Sequence, residues 1–326
     1  MSNVIKVVNN WKNNILKITL DNVNIKVKDK SAAAAMSVSG SGDTEINLKG
    51  DNTLDSRGAH SSGLNGCAGL EKADTIDPYG NETGNGGKLI ITASDNKQSL
   101  TAWGSDFAAG IGGHSNGKRD SKAQVTGIEI NGGTIVAQGG QSGAGIGGGS
   151  WTGGEVTING GNVTATGGKQ GFGIGSGKYA RGSDVRINGG NVTASSTLGA
   201  AGIGGGALGL GDVIIKGNAE IKNATGGDEG AGIGGGAGSL GDVDIEGKVT
   251  IQNAQGGIGA AGIGGGAESE PDDDGTGNKT GNKISIKGTE AGSPNITAKG
   301  GKASDDGLSG GAAIGSGSVY ENDPQD

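Results

Sequence analysis

Trp151, Tyr179 and Leu208 stand 28 and 29 residues apart, each five residues after an isoleucine in a glycine-rich block. Equal spacing of this kind brings side chains to one register on neighbouring coils of a repeat. Aromatic faces about 4.8 Å apart would then form a flat apolar platform for sugar rings, with polar tips left for hydroxyl groups. The competing reading is that they cover a turn or pack on a neighbouring loop. A second group is acidic: Asp272, Asp274, Thr276, Gly277 and Asn278 imitate the first half of a calcium loop, with alternate oxygen ligands and a glycine at the sharp turn. The imitation stops at Lys283, the twelfth position, where a bidentate Glu would be required. A solvated acidic loop is the alternative, and calcium is the one cofactor the sequence raises.

Catalytic patterns are sparse. Glu155, Asp184, Asp212 and Asp242 share one register just before an apolar run. They recur repeat after repeat with no regular Arg or His partner, which is the behaviour of turn formers and solubilisers. His60 and His114 are isolated, His114 standing where a block glycine is expected, and Cys67 has no second thiol to pair with. Gly175-Ser176-Gly177-Lys178-Tyr179 comes near a phosphate-binding loop but lacks the final hydroxyl residue and a strand-loop-helix setting. A threonine row suited to ordering water as ice would need Thr164, Thr193 and Thr297 unbroken, and Val136, Asn223 and Asn253 interrupt it. The expectation is a protein that is not an enzyme.

The elements that must position these residues come from a repeat. Gly-Ala-Gly-Ile-Gly-Gly-Gly at 143–149 returns with its central isoleucine at Ile174, Ile203, Ile233 and Ile263, and frayed at Ile111 and Ile314. The steps between these isoleucines are 35, 28, 29, 30, 30 and 51 residues. Such a period leaves each unit to bury its apolar residues against its neighbours. Between markers, Val156-Thr157-Ile158-Asn159-Gly160-Gly161-Asn162-Val163-Thr164-Ala165 gives two alternating β-branched runs about a tight bend. Ala144 and Ile146 share parity, which predicts that both point inward while the glycines between them point out. Two-helix repeats are excluded, since each Gly would cost a helix about 1 kcal/mol. Leu64 and Met36 serve as worn markers, giving about nine coils of about 29 residues.

Two expectations follow for the coil surface. Asn131, Asn159 and Asn188 should form a ladder of turn amides. Gly145, Gly147, Gly173, Gly175, Gly202 and Gly204 should leave one wall free of side chains, open to self-association, unless glycine is there for sharp turns. Composition agrees with a thin core: 76 of 326 residues are Gly and only 2% are aromatic. The net charge of −8 with dispersed Lys and Arg excludes nucleic acid as an expected partner. No apolar run approaches 18 residues, so no membrane insertion is expected.

The chain divides into an N-terminal cap at 1–16, a solenoid at 17–317 with insertions near 69–87 and 267–282, and a polar tail at 318–326. Val4, Val8, Trp11 and Ile15 fall at helical spacing, so residues 3–16 read as a short amphipathic helix. The strand alternative rests on the alternation of Leu16, Ile18 and Leu20. No export leader is legible after Met1, because Val4 to Ile18 is broken by Asn9, Asn10, Trp11, Lys12, Asn13 and Asn14.

Ile158-Asn159-Gly160-Gly161-Asn162-Val163-Thr164-Ala165-Thr166-Gly167-Gly168 with Gly171-Phe172-Gly173-Ile174-Gly175 resembles the glycine-rich repeats of large surface proteins of Gram-positive gut bacteria. The opening Ile18-Thr19-Leu20-Asp21-Asn22-Val23-Asn24-Ile25 is similar to the first coils of β-helical carbohydrate-binding domains found there. The resemblance covers about residues 17–317. It implies a right-handed parallel β-helix, export to the cell surface, and adhesion to a polysaccharide or host glycan, sometimes with calcium. A polysaccharide lyase or hydrolase and a structural stalk are the competing classes.

Overall fold

The computed structural model describes residues 3–28, 31, 33–59, 66–73, 86–115, 124–180, 183–205, 211–268, 272–273, 279–280, 283–305 and 307–318. The chain winds as a right-handed parallel β-helix of three sheets, and no helix occurs among the described residues. Sheet 1 has ten strands running from Ile5–Val8 to Ile314–Gly315. Sheet 2 has nine, from Leu16–Asp21 to Ile284–Lys287, and sheet 3 has nine, from Asn24–Lys26 to Asn295–Lys299. Each coil visits them in that order.

One coil shows why these residues fold this way. In Gly153–Ile158, Val156 and Ile158 point into the core and Thr157 faces out. Asn159-Gly160-Gly161 then turns the chain into sheet 3, with Gly161 at φ 93°, a conformation a side chain would resist. In Asn162–Thr166, Val163 and Ala165 go inward. The next coil repeats the sequence one strand away, so Val163 pairs with Val192 and Ala165 with Ala194. The core is therefore a set of stacked aliphatic columns. Ile146, Ile174, Ile203, Ile233 and Ile263 are consecutive partners in sheet 1 and wholly buried. The expected amide ladder is also present: Asn159 Nδ2 donates to Asn131 Oδ1 and Asn188 Nδ2 to Asn159 Oδ1, both at 2.7 Å.

Several expectations are corrected. Residues 3–16 are not a helix: Ile5–Val8 is the first strand of sheet 1, with Ile5 beside Met36. Val4, Val8, Trp11 and Ile15, the set at helical spacing, are the residues left exposed. The worn marker after Met36 is Leu70, paired with both Met36 and Ile111, whereas Leu64 lies outside the described residues. Leu70–Lys72 is thus a strand, and the first insertion begins after it rather than at 69.

The parity argument fails at Phe172, Ala201 and Ala231, which hold the place of Ala144 in the next coils. Phe172, Ala200, Ala201 and Ala231 form a small cluster separate from the isoleucine column. From Ile111–Gly112 onward the sheet 1 strands are only two residues long, and the chain on either side of them folds back over the sheet's outer surface. The loop entering sheet 1 from one coil meets the loop leaving it from the next. Ser150 N donates to Phe107 O at 2.7 Å, Lys178 N to Ser142 O at 2.9 Å, Ala237 N to Gly199 O at 2.9 Å and Ala267 N to Glu229 O at 2.8 Å. Phe172 fills space beneath this cover, its ring against Gly236.

The marker glycines are consequently buried rather than displayed. A Cβ on Gly147, Gly175 or Gly204 would overlap the carbonyl oxygen of Gly175, Gly204 or Gly234 on the following coil. A Cβ on Gly145 would lie 2.7 Å from Thr166 N. The bare outer wall expected for self-association is absent from this face; close backbone approach demands glycine, and Gly147 and Gly175 also hold positive φ, 130° and 138°.

Candidate functional site

The loops covering sheet 1 form a ridge along the rod, and its tips carry left-handed backbone. In the loop leaving sheet 1, the position five residues after the marker isoleucine has φ 65° at Trp151, 61° at Tyr179, 66° at Gly238 and 59° at Glu268. In the loop entering sheet 1, Phe107, Gly199 and Glu229 adopt φ 67°, 58° and 66°. The hydrogen bonds between the two loops set these rows side by side. The ridge thus runs from an aromatic end at Phe107, Trp151 and Tyr179, through Gly199 and Gly238, to an acidic end at Glu229 and Glu268. Left-handed backbone is disfavoured for bulky residues by roughly 1 kcal/mol or more, so holding Trp and Tyr there needs compensation.

Part of it comes from stacking. The Trp151 and Tyr179 rings lie with centroids 4.5 Å apart and planes inclined by 26°. The equal register is therefore real, but the rings face each other along the rod axis instead of lying side by side. Lys178 Nζ sits 4.2 Å from the Tyr179 ring centroid. With Trp151 on one face, the ammonium takes the other, so Tyr179 is sandwiched. The flat platform is corrected to a stack whose edges face solvent, Tyr179 being 40% exposed. Leu208 lies outside the described residues.

The acidic register residues do align, one per coil, ahead of sheet 2. Arg186 bridges Glu155 at 3.5 Å and Asp184 at 3.2 Å. Burial and the neighbouring charges of Asp184 and Asp242 push the Asp212 carboxyl above the usual carboxylate range. Of the calcium candidates, Asp274 and Asn278 lie outside the described residues. Asp272–Asp273 pairs antiparallel with Lys279–Thr280. Among the described residues, no group of three or more His, Cys, Asp or Glu is placed to hold a metal ion.

Two clusters were not anticipated. At Cys67, burial and the charge of Glu71 push the thiol up to about 11, so it is a poor nucleophile. The Glu71 carboxyl, itself pushed up by burial, is drawn back by His114 and by the Ala68 amide. The other cluster lies at the end of sheet 3, where the Arg57 guanidinium stacks 4.4 Å above the Trp103 ring. Asp55 accepts two parallel bonds along one edge of Arg57, from Nε at 2.9 Å and from Nη2 at 2.8 Å. The cue in the sequence was faint: an Asp-x-Arg turn and one tryptophan that share a coil position only once the first coils are set in register.

These observations define the class: a right-handed parallel β-helix repeat protein with an aromatic-to-acidic ridge over one sheet. A family model described as a beta helix repeat matches residues 128–150, 156–178 and 185–207, three consecutive coils of the solenoid. No curated protein and no solved structure matches the chain.

Proposed function

We propose that this protein is a non-enzymatic, surface-displayed binding rod that engages a polysaccharide or host glycan along the ridge over sheet 1. The observation that carries the proposal is the Trp151–Tyr179 stack, an aromatic pair kept on exposed loop tips in left-handed backbone. Loop tips braced by a stiff scaffold are suited to recognition. Ring edges and the Tyr179 hydroxyl meet sugar C–H groups and hydroxyls, and acidic groups further along the ridge accept hydroxyl protons. The ridge follows the rod axis, a geometry fitting a chain-like ligand.

The test is a glycan array with wild-type protein, Trp151→Ala and Tyr179→Ala. Weaker binding of the best glycan by both folded variants supports the ridge. Unchanged binding rules it out as the site. Running the same glycans in an ultraviolet assay for unsaturated products separates binding from a lyase, and silence in both assays leaves a structural stalk.

A further inference from the structure

The cluster at the end of sheet 3 forms a groove of about 310 Å3 lined by Arg57, Trp103, Ser105, Asp106 and Gln138, with backbone of Gly104, Gly139 and Gly140 completing its wall. Asp55, Trp103 and Gln138 are register partners on three successive coils. Their side chains are thus spaced by the ladder itself, not by a flexible loop. Arg57 is fixed by the Trp103 ring beneath it and by the Asp55 carboxylate, which also accepts the Arg57 backbone N–H at 3.0 Å. Asp55 is buried beneath this clamp, with its side chain 4% exposed, while Arg57 remains 55% exposed.

The clamp consumes the Nε and Nη2 edge of the guanidinium, and Nη1 makes no hydrogen bond among the described residues. Ser105 is occupied, its hydroxyl accepting the Cys67 N–H at 2.7 Å. The Gln138 amide and the Asp106 carboxylate, both exposed, make no side-chain hydrogen bond among the described residues. The groove therefore offers a donor, an acceptor, and an amide that is both. Asp55 neutralises Arg57, so Asp106 carries the net charge of the groove and repels an anion. An ammonium could donate to Asp106 but could not accept from Arg57. A ligand whose hydroxyls both accept and donate, and whose C–H face can lie against an indole, satisfies all three groups.

We propose that this groove is a second saccharide subsite, taking one neutral pyranose through adjacent hydroxyl groups shared between Arg57, Gln138 and Asp106. It rests on the glycan-binding function for its ligand class but not on the Trp151–Tyr179 stack for its geometry. The volume is at the lower end of ligand sites, which fits a single ring bound at millimolar strength.

The experiment follows the indole N–H resonances of the full chain, assigned by Trp11→Phe, Trp103→Phe and Trp151→Phe, during titration with D-glucose, D-galactose, D-mannose, D-glucuronate and D-glucosamine. The expected result is a saturating shift at Trp103 with at least one neutral hexose, and a much smaller one with glucuronate or glucosamine. Gln138→Ala and Asp106→Ala, both surface changes, should weaken it about tenfold with the melting temperature unchanged, and Trp151→Ala should leave it intact. A response at Trp151 without one at Trp103 overturns the groove and spares the ridge. A response at Trp103 alone supports the groove and counts against the ridge. No response at either indole, or preference for the charged sugars, overturns the groove.

Discussion

Ile203 lies mid-column in sheet 1, between Ile174 and Ile233 and wholly buried. A column one side chain wide has little room to collapse around a gap. Ile203→Ala should cost about 2–5 kcal/mol in urea unfolding, and Ile203→Asp, which buries an unpaired charge, should cost more. The amide ladder offers the opposite sign. Asn188 Oδ1 is buried and has no hydrogen-bond partner, because the residue stacked on it in the next coil is Lys216. Lys216→Asn extends the ladder and should add about 0.5–1.5 kcal/mol; a loss of stability in thermal melts would refute the explanation. Asp55 gives a pH test. Arg57 holds its carboxyl below the ordinary value of 3.8, so the pair's stabilisation is present above that value and fades as pH falls through the lowered one. The stability gap between wild type and Asp55→Asn should be widest near neutrality and narrow in acid.

At the scale of the element, sheet 1 is unusual because from Ile111–Gly112 to Ile263–Gly264 both its faces are covered, one by the core and the other by its own flanking loops. Two-residue strands supply few hydrogen bonds, and the interlocking loops add those that run from Ser150, Lys178, Ala237 and Ala267. Glycine is what lets the layers approach. Replacing Gly147, Gly175 and Gly204 together by Ala should abolish folding, read as loss of the β signal in circular dichroism. A folded triple variant would show that the layers can separate without cost. The same cover explains why the ridge can hold Trp and Tyr upright: each tip is anchored to the loop of a neighbouring coil.

Across the whole molecule, contacts run between adjacent coils, so stability should accumulate coil by coil. At the C-terminal end the column residues lose their cover: Ile314 and Ile286 are each 43% exposed, although their partners Ile263 and Ile245 are buried. Deleting residues 265–326 should leave a shorter folded solenoid with a lower melting temperature. Global unfolding after that deletion would mean that the last coil nucleates the rod. No helix among the described residues is long and apolar enough to cross a membrane.

The sequence by itself determined the period, the three-run coil, the isoleucine column and the Asn131–Asn159–Asn188 ladder. Each follows from strand parity or from stacking identical residues, and both are local rules repeated at fixed intervals. Where the interval breaks, the pattern loses its hold: spacing points to Leu64 where Leu70 is the marker, and to a helix where Ile5–Val8 is a strand. Only the tertiary structure decided that the glycine runs are buried, that Phe172 packs outside the column, that Trp151 and Tyr179 stack instead of lying flat, and that Arg57 meets Trp103. Those outcomes depend on how loops of adjacent coils fold over one another, a relation between distant backbone segments that residue spacing does not encode.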